Sequence, residues 1–145
     1  MACYRIARRT TNTTSGQAAM DVAISTGQRL KILEWLITLA AATLSTYGLN
    51  RASVIGTRTT PVALLPDDER DPAPTGIMLV DSALAHSVQP TLAAEYHERI
   101  SLPAVIGQGA LFTFPVPLVI AISLSAVLQN LATNGMLDSR VRVEV

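Results

Sequence analysis

Hydrophobic positions follow two periods along this chain. Leu30, Leu33, Ile37, Ala40 and Leu44 recur at helical spacing while Lys31, Glu34, Thr38 and Ser45 fall off the stripe, the pattern of an amphipathic helix with one buried face. Capping chemistry at Asp21 or Ser25–Thr26 and stop signals at Gly48 and Asn50 bound it, so a helix is predicted over Gly27–Tyr47. A second helix is predicted from Leu118 to Ala132, opened by Pro117 and closed by Asn134 and Gly135. Its core side would carry Ile120, Leu124, Val127, Leu128 and Leu131.

The other period is two. Arg140–Val145 alternates cleanly, with Val141, Val143 and Val145 on one face and Arg140, Arg142 and Glu144 on the other, so a half-buried closing strand is expected. Glu98–Ile106 alternates as well, and Pro103 places that strand at an edge or a bulge because it cannot donate to a ladder. Arg51–Arg58 and Ile77–Val80 are shorter strand candidates. The proline- and acid-rich stretch Thr59–Thr75 reads as a loop, and Ser82–Ala94 as a long connection. The order helix, strand, strand, strand, helix, strand predicts an α+β fold, a mostly antiparallel sheet of about four strands packed with two main helices.

Residues 1–20 carry Arg5, Arg8 and Arg9, a run of Thr and Ser, and no acid before Asp21. They read as a flexible N-terminal arm ahead of a single α+β assembly domain over 21–145. The arm also has the arginine-rich, acid-poor make-up of an organellar transit peptide, but it lacks the apolar run of a secretory signal.

Composition changes this picture in one respect. Charged residues are 15% of the chain, against about 25% in ordinary soluble proteins, so the surface must be unusually apolar or covered by partners or lipid. Eleven basic and eleven acidic residues cancel, which leaves no global field to hold a nucleic acid non-specifically. Cys3 is the single cysteine, which excludes an internal disulfide and a multi-cysteine zinc site. From Ile100 to Leu137 there is no Asp, Glu, Lys or Arg, so a small membrane-embedded subunit with a span near 110–131 is the alternative reading. Pro103, Gly107, Gly109, Pro115 and Pro117 interrupt that run, and no interfacial aromatic or basic belt flanks it.

Candidate chemistry is sparse. His97 and Glu95 would share a face of an extended segment, yet no third ligand or orienting group can be named. Asp67, Asp68, Glu69 and Asp71 lack the spacing of a calcium loop, which leaves a solvated loop or a contact for a basic partner. Gly107-Gln108-Gly109 lacks the third glycine of a phosphate cradle. Cys3 lies far from either histidine in sequence, and no nucleophile elbow occurs. No catalytic, cofactor or metal residue is assigned, and a non-enzymatic protein that works by assembling with other chains is expected.

Three landmarks carry a family resemblance. They are the opening segment Gln28-Arg29-Leu30-Lys31-Ile32-Leu33; a strand, Pro-containing loop and buried strand over Val54–Pro61 and Pro74–Asp81; and the sequence Arg99-Ile100-Ser101-Leu102, Leu118–Leu131, Val141-Arg142-Val143-Glu144-Val145. In element order the chain resembles the tail terminator and tail-completion proteins of long-tailed bacteriophages. That resemblance implies a virion protein of the phage tail and neck, assembled in the host cytoplasm. It would form a homo-oligomeric ring, a hexamer, that caps the tail tube and joins it to the neck or connector proteins. A closed ring needs two complementary faces on each subunit. The implied contact residues are Arg5, Arg8 and Arg9 of the arm, Asp67, Asp68, Glu69 and Asp71 of the acidic loop, and His86 and Gln89 of the long connection.

Overall fold

The computed structural model describes residues 2–10, 14–24, 29–73, 77–80, 86–132 and 135–145. Among these residues the chain forms strands only: β1 (Cys3–Thr10), β2 (Ala18–Ile24), β3 (Leu30–Leu39), β4 (Ser45–Val54), β5 (Thr57–Arg58), β6 (Leu65–Pro66), β7 (Ile77–Val80), β8 (His86–Val88), β9 (Thr91–Leu92), β10 (Glu98–Leu102), β11 (Gly109–Ile120), β12 (Ser125–Asn130) and β13 (Leu137–Glu144). The expected α+β class is therefore corrected to all-β. Neither predicted helix is present among the described residues, and the helical order α-β-β-β-α-β does not hold.

The first helix prediction failed at a β-bulge. In β3 the buried positions are Leu30, Ile32, Trp35, Ile37 and Leu39, an alternation broken once. Glu34 faces Arg142 and Ile32 faces Val143 in the ladder with β13, so Leu33 is an extra residue with no partner of its own. One inserted residue moves the hydrophobic set by a single step, and Leu30, Leu33 and Ile37 then imitate a helical stripe. The second prediction failed for two reasons. Ala121–Leu124 makes a turn, closed by the Leu124 N–H donating to the Ala121 carbonyl at 3.1 Å, with Ser123 at φ 64°. Beyond it, β12 is buried on both faces: Ala126 and Leu128 enter the main core, while Val127 packs in a second cluster with Ala18, Ala52 and Leu92. A strand covered on both sides has no polar alternation to display.

The stretch read as a flexible arm is also corrected. All eight residues of β1 pair antiparallel with β13, from Cys3 opposite Glu144 to Thr10 opposite Leu137, and Tyr4 and Ile6 enter the core. The strands expected at the C-terminus, at Glu98 and at Ile77 are found, and Pro103 lies just past the end of β10, an edge strand. The capping signals at Ser25–Thr26, the stop at Asn134 and residues 82–85 of the long connection lie outside the described residues.

Two main sheets result, one ordered β11-β3-β13-β1-β6 and the other β10-β4-β12-β2-β7, with β9 beside β4, and β5 and β8 form a small third sheet. Each of these neighbouring pairs is antiparallel. The inner faces share one core, in which Trp35, Ile37, Val141 and Ile120 of the first sheet join Met20, Ile24, Tyr47, Leu49 and Leu128 of the second. Along the eight longer strands the chain switches sheets at every step through β1, β2, β3, β4 and again through β10, β11, β12, β13, with β4 and β10 paired side by side in the second sheet. This is the connectivity of a jelly roll, a double-sheet β-sandwich. Between β4 and β10 an insertion adds β6 to the outer side of β1 and β7 to the outer side of β2. One flank of the sandwich is thereby extended in both sheets, while the opposite flank ends in β10 and β11.

Candidate functional site

The polar residues of the insertion serve mainly to attach it. Asp21 on β2 is fully buried and accepts two hydrogen bonds from Arg58 of β5, each 3.0 Å. The His86 Nε2 of β8 lies 3.0 Å from the same carboxylate. The two short strands pair with each other, so one buried triad ties that small sheet to β2. Charges so deeply withdrawn persist only when paired and hydrogen-bonded. Gln89 adds a further tie, its Oε1 accepting the Ala18 N–H at 3.0 Å.

The outer face of the β1–β13–β3 region carries a lattice of ion pairs. Arg9 donates two hydrogen bonds to Asp138, at 2.7 and 2.8 Å. Arg140 reaches Glu34 at 3.1 Å and Lys31 reaches Glu144 at 2.7 Å. Asp67, which follows β6, accepts from Arg5 and, at 3.0 Å, from Arg142. Arg5 above all, with Arg142 in support, holds the Asp67 carboxyl below the usual carboxylate range against its partial burial. Arg9 does the same for Asp138. A shallow depression of about 340 Å³ lies among Arg8, Arg9, Leu36, Thr38 and Arg140, but Arg9 and Arg140 already have carboxylate partners.

The structure thus places the sequence-derived contact residues as follows. Arg5, Arg9 and Asp67 are engaged in pairs within the chain, and Asp68 is bound by Arg70 at 2.7 Å. The Asp71 N–H donates to the Asp68 carbonyl at 2.9 Å. His86 and Gln89 hold the insertion, and Arg8 and Glu69 are exposed. They do not converge on one surface feature. His97 and Glu95 likewise gain no third group: among the described residues no cluster of His, Cys, Asp and Glu could hold a metal ion. Burial first, and the Arg51 charge second, lower the His97 pKa against Glu98.

A different surface stands out, one that residue-by-residue chemistry did not flag. Val105 and Ile106 in the β10–β11 loop, Leu111 and Val116 on β11, and Ile122 in the next turn are all exposed, Val116 by 85% and Ile106 by 67%. All five fall within the uncharged run Ile100–Leu137. Among the described residues β11 pairs only with β3. The signal was available in the sequence as that run, but its meaning depended on knowing that β11 is an outer strand. No helix among the described residues is long and apolar enough to cross a membrane, and 110–131 consists of β11, a turn and β12, which corrects the helical span. Comparison with protein-family models, with curated proteins and with solved structures finds no match to this chain.

Proposed function

We propose that this chain is a structural subunit that works by contact with copies of itself and with neighbouring virion proteins, and not by catalysis. The observation that carries the reading is the uncharged outer strand β11, with Leu111 and Val116 exposed on it and Val105, Ile106 and Ile122 exposed in the segments that flank it. An uncovered strand edge is a template for pairing with another chain, and soluble proteins ordinarily blunt it with charge. The polar clusters described above are consumed in holding the fold, which fits a protein acting by shape. Jelly rolls recur in viral shells, although they also occur in lectins and small-molecule enzymes.

The place in a phage tail or neck is retained as part of this proposal in a weaker form. The resemblance to tail terminators used two helices that are strands here, so the virion assignment now leans on the fold and the exposed edge. A ring would need a second, different contact surface on each subunit. Light scattering on the purified chain tests the proposal. A mass of at least two copies at low salt is expected, together with co-assembly with tail-tube or neck proteins. A persistent monomer, alone and mixed with those proteins, would overturn it.

A further inference from the structure

We infer that β11 pairs antiparallel with β11 of a second copy about a twofold axis at Leu111, joining two sheets into one. This deepens the self-assembly reading and rests on it.

Which edge is open is the first step. On one flank of the sandwich, β6 and β7 extend the sheets beyond β1 and β2; on the other, β10 and β11 are outermost. β10 carries Glu98 and Arg99, both exposed, the kind of charge that discourages edge pairing. β11 carries no charge, so a second copy meets it without like-charge repulsion.

The register follows from where β11 is regular. Its ladder with β3 is unbroken from Gly109 to Thr113 and then shifts, with Phe114–Pro117 bulging before Leu118 regains a partner. Pro115 and Pro117 cannot donate to a new ladder. The segment able to accept another strand is therefore Gly109–Thr113, and Leu111 is its centre. Antiparallel self-pairing puts Leu111 beside its own twofold mate.

That register has an independent consequence for the flanking residues. Ile106 and Val116 lie five residues to either side of Leu111. In a twofold antiparallel pair, each one's Ile106 loop comes opposite the other's Val116 bulge, and this happens twice. These are the most exposed large hydrophobic side chains on the described surface. The four exposed apolar side chains from Val105 to Val116 present on the order of 500 Å² per copy, within the range of a monomer's largest surface patch. Two copies would bury roughly 1,000 Å², the lower bound for a specific interface. The occupant is a second copy because one register satisfies the open ladder and covers both exposed ends.

Sedimentation velocity on the full chain tests this, with thermal unfolding to verify that each variant is folded. Wild type should be dimeric, and Val116→Glu should weaken the dimer by roughly tenfold or more. Adding Ile106→Lys to Val116→Glu should restore it, because the two new charges face each other across the axis. In a Cys3→Ser background, Leu111→Cys should form an interchain disulfide under mild oxidation and Thr113→Cys should not, since antiparallel pairing offsets position 113 from its mate. An oligomer indifferent to Val116→Glu and uncrosslinked at 111 overturns the β11 interface while leaving self-assembly standing. A wild-type monomer at every concentration overturns this interface directly. Co-assembly with other virion proteins would then decide the broader reading.

Discussion

Arg58 presents two parallel hydrogen bonds of 3.0 Å to the buried carboxylate of Asp21, across 37 residues of sequence. This bidentate pair is the buried ionic link between the insertion and the sandwich, beside the strand pairings of β6 with β1 and β7 with β2. Replacing Arg58 by Met leaves Asp21 inside the protein with His86 as its remaining partner. The loss should be about 3–5 kcal/mol, measured by urea denaturation. The double variant Asp21→Asn/Arg58→Met should lose less than the sum of the singles, with a coupling of about 1 kcal/mol or more.

Acid should act through Asp67 and Asp138. Their arginine partners depress both carboxyl pKa values in the folded chain. The unfolded state therefore takes up protons first as pH falls. The stabilisation is fully present above the ordinary Asp value of about 3.9 and is lost as pH drops through the lower folded values. The urea midpoint should be flat from pH 7 to about 5 and then fall, and in Asp67→Asn/Asp138→Asn the fall should be shallower. An unchanged slope would show that other carboxylates govern the response.

Gly48 on β4 lies under the ring of Tyr96. A Cβ there would sit 2.5 Å from Tyr96 Cδ1 and 3.1 Å from Leu131 Cδ1. Tyr96 also donates its hydroxyl to Gln129 at 2.8 Å, so the ring cannot withdraw freely. Gly48→Ala should cost about 1–3 kcal/mol. The same change in a Tyr96→Ala background should cost clearly less, and equal costs would mean that the ring yields.

Ser123 adopts φ 64° in the turn between β11 and β12, a left-handed conformation that costs a residue bearing a Cβ roughly 1–2 kcal/mol. Ser123→Gly removes the steric cost and adds unfolded-state entropy. The net gain should be about 0.5–1 kcal/mol, read as a melting temperature higher by a few degrees. A lower melting temperature would mean that the hydroxyl contributes more than the backbone strain removes.

How much of this was legible in the sequence varies by element for definite reasons. β13 shows its alternation because Asp138, Arg140, Arg142 and Glu144 face outward while Leu137, Ser139, Val141 and Val143 face the core. β10 was visible in its alternation from Glu98 to Leu102, and Pro103, read as the mark of an edge or a bulge, stands where the strand ends. β3 was misread because the bulge at Leu33 turned a period of two into an apparent helical stripe, and β12 because its two faces are both covered. The contact candidates were legible only as residue types. Arg5, Arg9, Asp67 and His86 have the residue types of an interface, but their partners lie far along the chain, and local pattern cannot say whether a charge is already satisfied.

The sequence by itself determined that charge is scarce, that 100–137 carries none, and that no local motif supplies a catalytic group, since these are properties of residue type and spacing. Only the tertiary structure decided that the uncharged run forms the outer strand β11 of one sheet and the central strand β12 of the other, that the presumed arm is a paired strand, and that His86 is buried against Asp21. Strand partners are set by long-range hydrogen bonding and by which faces another sheet covers. An edge exists only relative to the strands that fail to cover it, so local periodicity could not identify β11 as the open side.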